Sequence, residues 1–438
     1  MGAGKKVAVI GLDGVPFSLL EHLFDSGVMP NLASIAGHGT FVKMETTLPA
    51  VSSVAWTSFM TGTTPGEHGI FGFTDLKNSE ISLRFPSFDD ILQPVIWHRA
   101  HTADSVVVNV PFTYPARPLR GTIISGFVAP ILERSVYPPS LIDWLKSKNY
   151  RTDVDAVKGR RDQGALVKDL FETMNLHEDV MLTLLSRKPW DLFIGVITGT
   201  DRLHHFFYDA SDCPSHPLHG DFIDYYRRID AFFGRLQETI SAGTRLIILS
   251  DHGFTHLKIH VQLNNILKIL GYLSFSRSDP QALEDIDPSS FAFALDPTRI
   301  YVNSGHRFKN GRLTALSAEE VRARLKSDLE SLHVSDLGIR ESDPTLEQGP
   351  LFQRVLLQEE VYPGTCLHTA PDLIVVPRRG YDVKAAVNAS GPTGTDIFTG
   401  MHTHDDAFLI VDDASYSDRL SKVRISDVAA LVLSALDD

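Results

Sequence analysis

Three short stretches constrain this chain more than any other feature. Val7–Leu12 (VAVIGL), Asp191–Thr200 (DLFIGVITGT) and Arg245–Ser250 (RLIILS) have apolar centres, and each is followed at once by an aspartate: Asp13, Asp201 and Asp251. An apolar run without polar alternation is what a strand buried on both faces requires, and such strands belong to parallel sheets covered by helices. Helical stretches separate the runs. Gly164–Ser186 and Phe222–Ile240 are long and periodic, and Val321, Leu325, Leu329 and Leu332 form one apolar stripe. The alternation predicts an α/β fold with a mainly parallel sheet flanked by helices. A last helix is expected over Ser426–Leu436, with Ser426 as its N-cap.

The stretch Ser276–Ser290, with Pro280, Pro288 and four acidic residues, is the weakest for regular structure. It reads as a loop near the start of an inserted region. The expected division is a core of residues 1–260 and 369–438 with a smaller cap over 261–368, after which Leu373–Val376 rejoins the core sheet.

Composition narrows the chemistry. Cys213 and Cys366 are the only cysteines among 438 residues, too few for a disulfide framework or a Cys-rich zinc site. Histidine is frequent, with 18 copies, so a bound metal would sit among nitrogen and oxygen ligands. The formal charge of −13 argues against binding a nucleic-acid polymer, which needs a basic footprint. It leaves an anionic substrate open, because a bound cation reverses the local field. No run reaches the roughly 18 apolar residues of a membrane span. The opening Gly-Ala-Gly-Lys is not a full phosphate loop, Lys6 breaks the myristoylation pattern, and the apolar stretch after it is too short for a signal peptide. The expected location is cytoplasmic, with no membrane association.

If the three apolar strands are parallel neighbours, their aspartates converge at the carboxyl edge of the sheet, where ligands bind in open α/β folds. A single aspartate there is as readily a turn or helix cap. The histidines add weight: His252 follows Asp251, His205 lies four residues after Asp201, and His402 precedes the apolar Phe408–Val411. A four-residue spacing puts Asp201 and His205 on one face of a helix, and the same spacing selects His205 over His204. Asp251 and His252 cannot share a face, so they serve one metal or opposite sides of a bimetallic site. Three aspartates and three histidines form a ligand set for two metals. Ser52 and Ser53 open a helix that includes Val54–Thr61; either fits a catalytic serine near the positive helix end or a plain N-cap.

The order of motifs carries a resemblance. Asp-Gly is followed by Pro-x-x-Ser-x-x-x-Trp-x-Ser-x-x-Thr-Gly-x-x-Pro-x-x-His-Gly, then Thr-Asp-Arg-x-x-His, Ser-Asp-His-Gly and Gly-x-His. With Ile124–Phe127, Leu263-Asn264, Leu270–Leu273 and Ala370–Ile374, the pattern spans nearly the whole chain. It resembles the alkaline phosphatase superfamily, in its type I phosphodiesterase/nucleotide pyrophosphatase branch, among predicted phosphohydrolases and phosphomutases. The resemblance implies one metal site of Asp13, Ser52, Asp251 and His252 and another of Asp201, His205 and His402. Ser52 takes the nucleophile position, with Ser53 as fallback. His402 is preferred over His404. The implied cofactors are two divalent ions; zinc suits the ligands best, and manganese or iron also fits. Two such ions and three carboxylates leave a local charge of about +1, suited to a phosphate ester.

The implied activity is cleavage of phosphodiesters or nucleotide-like phosphate esters, small molecules rather than polymers, through a phosphoserine. A phosphomonoesterase or phosphomutase with the same metals is the alternative. A non-catalytic phosphate binder would be expected to lack a ligand or the nucleophile, and every position is filled. One departure stands out: where family members carry a phosphate-holding Asn, this chain has Phe73. Arg202 is a candidate replacement or an ordinary ion-pair partner. Ser52–Trp56 lacks the Pro and Arg of a sulfatase frame, and no equivalent of the alkaline phosphatase arginine is assignable. His68 is expected to be a structural hydrogen-bonder, and Phe206, Phe207, Tyr208 and Trp56 to be packing residues.

Overall fold

The computed structural model describes residues 6–77, 79–187, 189–337 and 349–437. The Gly-Ala-Gly-Lys opening and residues 338–348 of the expected cap lie outside them. The chain divides into two compact units, one of Met1–Thr63, Ser87–Thr255 and Ile397–Asp438, the other of Thr64–Pro86 and His256–Asp396.

The first unit is built on the three apolar runs. Arg245–Leu249, Val7–Leu12 and Leu192–Ile197 are adjacent, and Ser105–Val108 and Gly121–Ile124 follow; all five strands are parallel. Antiparallel pairings finish the sheet, Ala407–Val411 and then Thr40–Met44, which again runs with the core strands, on one side and Val136–Tyr137 on the other. Every residue of Val7–Leu12 and Leu192–Ile197 is buried, which accounts for their unbroken apolar character. Each fully buried Val, Leu or Ile contributes roughly 1.5–3 kcal/mol relative to exposure. Val7 stands opposite both Leu192 and Arg245, so the three strands end level, and Asp13 N–H still donates to Ile197 O at 3.0 Å.

Helices Gln163–Arg187 and His219–Thr239 bury apolar faces in the core of this unit. The latter supplies Asp230, whose carboxylate accepts the Asn31 and Leu32 N–H groups at 3.2 and 2.9 Å. It thereby serves the orphan donors of helix Pro30–His38, which has no side-chain cap of its own.

The second unit has its own core. Ala292–Leu295, Arg299–Val302, Leu373–Pro377 and Phe352–Leu357 form an antiparallel sheet in that order. Tyr381–Lys384, Ile259–Gln262 and Thr393–Gly394 form another. The stripe on helix Ala315–Glu330 is buried at Leu325 and Leu329, with Val321 and Leu332 partly so.

Two expectations need correction. Leu373–Val376 does not rejoin the core sheet: the strand pairs with Arg299–Val302 and Phe352–Leu357, so the second unit extends from His256 to Asp396 and takes in Thr64–Pro86, beyond the expected 261–368. A short apolar strand reads alike in either sheet, because both cores demand it. Nor does Ser426 cap the last helix, which is Val428–Asp437 after a 3₁₀ turn over Ile425–Asp427. Asp427 closes that turn, accepting Arg424 N–H at 2.9 Å. Among the described residues, no helix is long and apolar enough to cross a membrane.

Candidate active site

The seven residues expected at the site come together at the carboxyl edge of the first unit's sheet. Asp13 follows the central strand directly. Asp201 and His205 lie on helix Gly199–Phe207, one turn apart, so both side chains project from the same face. Asp251 and His252 sit between strands Arg245–Leu249 and Gly253–His256, and His402 lies on Gly400–Thr403, which pairs with the latter.

Ser52 is the first residue of helix Ser52–Thr61, and its hydroxyl is turned away from the cap role. Its Oγ donates to Asp13 Oδ1 at 3.1 Å and lies 3.3 Å from His252 Nε2. The adjacent Ser53 is buried, and its hydroxyl has no hydrogen-bond partner among the described residues. The structure therefore separates the two serines: only Ser52 reaches the acidic cluster.

Two clusters of potential ligand atoms result. In one, Asp13, Asp251 and His252 offer donors within 4.8 Å of one another, with Ser52 beside them. His252 Nε2 lies 3.7 Å from Asp13 Oδ1 and 3.4 Å from Asp251 Oδ2. In the other, His402 Nε2 is 3.1 Å from Asp201 Oδ1 and 3.0 Å from His205 Nε2, and His205 Nε2 is 3.5 Å from Asp201 Oδ1. His252 also falls within 4.8 Å of Asp201 and His402, and the His252 and His402 rings stack at 3.8 Å. The clusters form one continuous centre.

The tautomers can be read from the main chain. His402 Nδ1 is 2.8 Å from Ala50 O, and His252 Nδ1 is 3.2 Å from Gly253 O. A carbonyl only accepts, so each Nδ1 carries a proton; His402 Nε2 also donates, to Asp201 Oδ1, while in His252, held neutral by burial, Nε2 presents a lone pair inward. That lone pair faces carboxylate oxygens, which is unfavourable unless a cation stands between them. Asp251 Oδ2 is buried and accepts no hydrogen bond among the described residues. This excess of acceptors, with Nδ1 anchored to carbonyls, is a set of groups that could hold a divalent ion.

Electrostatics point the same way. Burial, then the Asp251 and Asp201 charges, push Asp13 well above the usual carboxylate range. Burial chiefly lifts Asp251 to about 7. Burial also acts to raise Asp201, but His205, His402 and Arg202 outweigh it and hold Asp201 well below its ordinary value. His252 is held far below by burial and by His402. His402 resists the same burial through its hydrogen bond to Asp201 and is raised.

Neighbouring residues explain the motif letters. Gly14 has φ +69°, and a Cβ there would lie 2.7 Å from the Phe254 ring. Its N–H donates to Asp251 Oδ1 at 3.0 Å, and its carbonyl accepts from His204 Nδ1 at 2.8 Å. His204 is a buried structural histidine, bonded also to Tyr226 Oη and depressed by burial to about 4. Arg202 is an ion-pair residue, 2.7 Å from Asp153 and 3.3 Å from Asp201, so one guanidinium is shared by two carboxylates. His68 accepts Ile70 N–H at 3.1 Å, and burial drops it to about 3. Phe206, Phe207 and Tyr208 are buried core residues.

Sequence reasoning missed two groups. Trp56, expected only to pack, donates Nε1–H to Asp13 Oδ2 at 3.2 Å. Phe254 contacts three of the candidate ligand rings, with centroids 4.9 Å from His205, 4.8 Å from His402 and 5.7 Å from His252. The signal for Trp56 was present in its spacing of four from Ser52; Phe254 stood beside Asp251-His252-Gly253 in sequence.

The pattern of the type I phosphodiesterase / nucleotide pyrophosphatase family matches residues 7–405. No curated protein sequence matches the chain. Among solved structures, phosphonoacetate hydrolase from Sinorhizobium meliloti 1021 in complex with phosphonoformate aligns with a TM-score of 0.67 at 15% identity, over 99% of this chain and 96% of that one. Alkaline phosphatase PafA aligns at 0.62 and 13% identity, over 100% and 96%. Inactive murine ectonucleotide pyrophosphatase/phosphodiesterase 5 in complex with AMP aligns at 0.55 and 14%, over 99% and 95%. At such identities these structures speak to the fold, which is alkaline-phosphatase-like. The family pattern covers most of the chain, and the protein therefore belongs to the type I phosphodiesterase / nucleotide pyrophosphatase family of the alkaline phosphatase superfamily.

Proposed function

We propose that this chain is a two-metal phosphohydrolase that cleaves phosphodiester or nucleotide-like phosphate esters, with Ser52 as nucleophile. The observation carrying this reading is the placement of the Ser52 hydroxyl, 3.1 Å from Asp13 Oδ1 and 3.3 Å from His252 Nε2, at the head of a helix and beside a centre rich in lone pairs. Asp13, Ser52, Asp251 and His252 would hold one divalent ion, and Asp201, His205 and His402 the other. Bound there, zinc, or manganese or iron in its place, supplies positive charge that favours the serine alkoxide and the phosphoryl oxygens.

The protein's own groups account for the rest. Asp13 Oδ1 is the acceptor within reach of the Ser52 proton, since the single Nε2 lone pair of His252 would be taken up by the ion. The positive end of helix Ser52–Thr61 favours the alkoxide. Ser52 Oγ bonds to phosphorus as the ester oxygen departs, and water then cleaves the phosphoserine. Arg202 forms ion pairs with Asp153 and Asp201.

Purified protein is expected to contain close to two divalent ions and to hydrolyse bis(p-nitrophenyl) phosphate. Ser52→Ala should abolish turnover while the fold is kept. Full activity in that variant, or no metal uptake by the wild type, refutes the reading. A panel with p-nitrophenyl phosphate, nucleotide diphosphates, dinucleotides, phosphonoacetate and sugar phosphates separates diesterase from monoesterase, and phosphate transfer within a sugar phosphate identifies a mutase.

A further inference from the structure

Asp13 is gripped from one helix at both oxygens. Ser52 and Trp56 are four residues apart on helix Ser52–Thr61, so they lie one above the other on one face. The serine hydroxyl meets Oδ1 at 3.1 Å and the indole N–H meets Oδ2 at 3.2 Å. Oδ1 is thereby turned to the side where His252 Nε2 stands 3.7 Å away, and Oδ2 is turned from it.

The indole is held as firmly as the carboxylate. Trp56 is completely buried and meets Phe59 edge-on, with centroids 5.6 Å apart at 88°. Gly11 lies two residues before Asp13, on the strand Val7–Leu12 that Asp13 directly follows. A Cβ at Gly11 would stand 2.3 Å from Trp56 Cη2, and no side chain but hydrogen leaves room for the ring. The glycine admits the indole, the indole fixes the carboxylate, and the carboxylate meets the nucleophile.

We propose that Trp56 is a positioning residue for the metal centre, setting the orientation of Asp13 through its indole N–H in a space kept open by Gly11. This rests on the reading of Asp13 as a metal ligand. Outer partners of ligating groups typically change metal affinity by about 10- to 100-fold when removed, and Trp56 is a neutral donor whose loss leaves Oδ2 buried without its partner.

The test is zinc titration of the full chain in competition with a chromophoric chelator, together with thermal unfolding of the chelated protein. Wild type should show two sites. Trp56→Phe should weaken one site by about 10- to 100-fold and leave the other unchanged. The sulfur isostere of tryptophan at position 56, which keeps the ring and lacks the N–H, should do the same without altering packing. Gly11→Ala should weaken the same site by displacing the indole. Unchanged zinc affinity in Trp56→Phe and in the isostere, whatever happens to the unfolding temperature, marks Trp56 as a packing residue and overturns the proposal. A wild type that takes up neither zinc, manganese nor iron overturns the functional reading, and this inference with it.

Discussion

Asp251→Asn should make the metal-free protein more stable while destroying part of its metal centre. In the folded chain burial lifts Asp251 from 3.8 to about 7, with Gly14 N–H opposing and Asp201 adding to the rise. Between those values the native carboxyl keeps a proton that the unfolded chain has released, so stability present at acid pH is lost as pH climbs and is fully lost above about 7. Roughly three units at 1.36 kcal/mol each give about 4 kcal/mol. Asparagine fits the same place: its Oδ1 keeps the Gly14 N–H, and its Nδ2 faces the His252 Nε2 lone pair across 3.4 Å. The assay is calorimetry of wild type and variant with excess chelator from pH 4 to 8, then with zinc. The two should unfold together near pH 4. At pH 8 the variant should lead by about 4 °C, taking roughly 2.1 cal/mol/K of unfolding entropy per residue over the whole chain. Zinc should reverse the order, because the wild-type carboxylate ionises onto the ion. A variant with no advantage at pH 8, or the same advantage at pH 4.5, would refute the account.

Other outcomes follow from separate contacts. Gly14→Ala forces a side chain into a left-handed conformation, costing roughly 1–2 kcal/mol, and drives its methyl against Phe254; urea unfolding should show more than about 2 kcal/mol lost, and zinc affinity should fall. Asp230→Ala removes the acceptor of the Asn31 and Leu32 N–H groups and should cost about 2 kcal/mol, with zinc content and diester turnover unchanged. Zinc at a thousand times its dissociation constant should stabilise by about 4 kcal/mol per site, and chelation should reverse this in the unfolding temperature.

What could be read from the letters, and what could not, divides along physical lines. Val7–Leu12 and Leu192–Ile197 announce themselves because burial on both faces leaves no place for polar residues. Asp201 and His205 announce their partnership through the helical period. Ala50 O, Gly253 O and Gly14 N–H carry no letter of their own, yet they set the tautomers and hold Asp251. Trp56 looked like packing because its polar partner lies 43 residues away. Leu373–Pro377 has the composition of a core strand in whichever sheet it joins, so only pairing assigns it. Ser426 had the right chemistry for a cap, but Asp427 closes the turn that precedes the helix.

The strand order also dictates a timetable for synthesis. Arg245–Leu249 lies between Val7–Leu12 and Ala407–Val411, so on the ribosome its outer edge has no partner until the last part of the chain appears. At roughly 5–20 residues per second, that delay is on the order of ten seconds. Through that interval the nascent chain carries an open strand edge, a known route to misassembly, while His256–Asp396 of the second unit is being made. His402, the last candidate ligand, arrives with the same closing segment. Closure of the sheet and completion of the candidate ligand set thus converge on one late event, and a chain cut short before it would lack both.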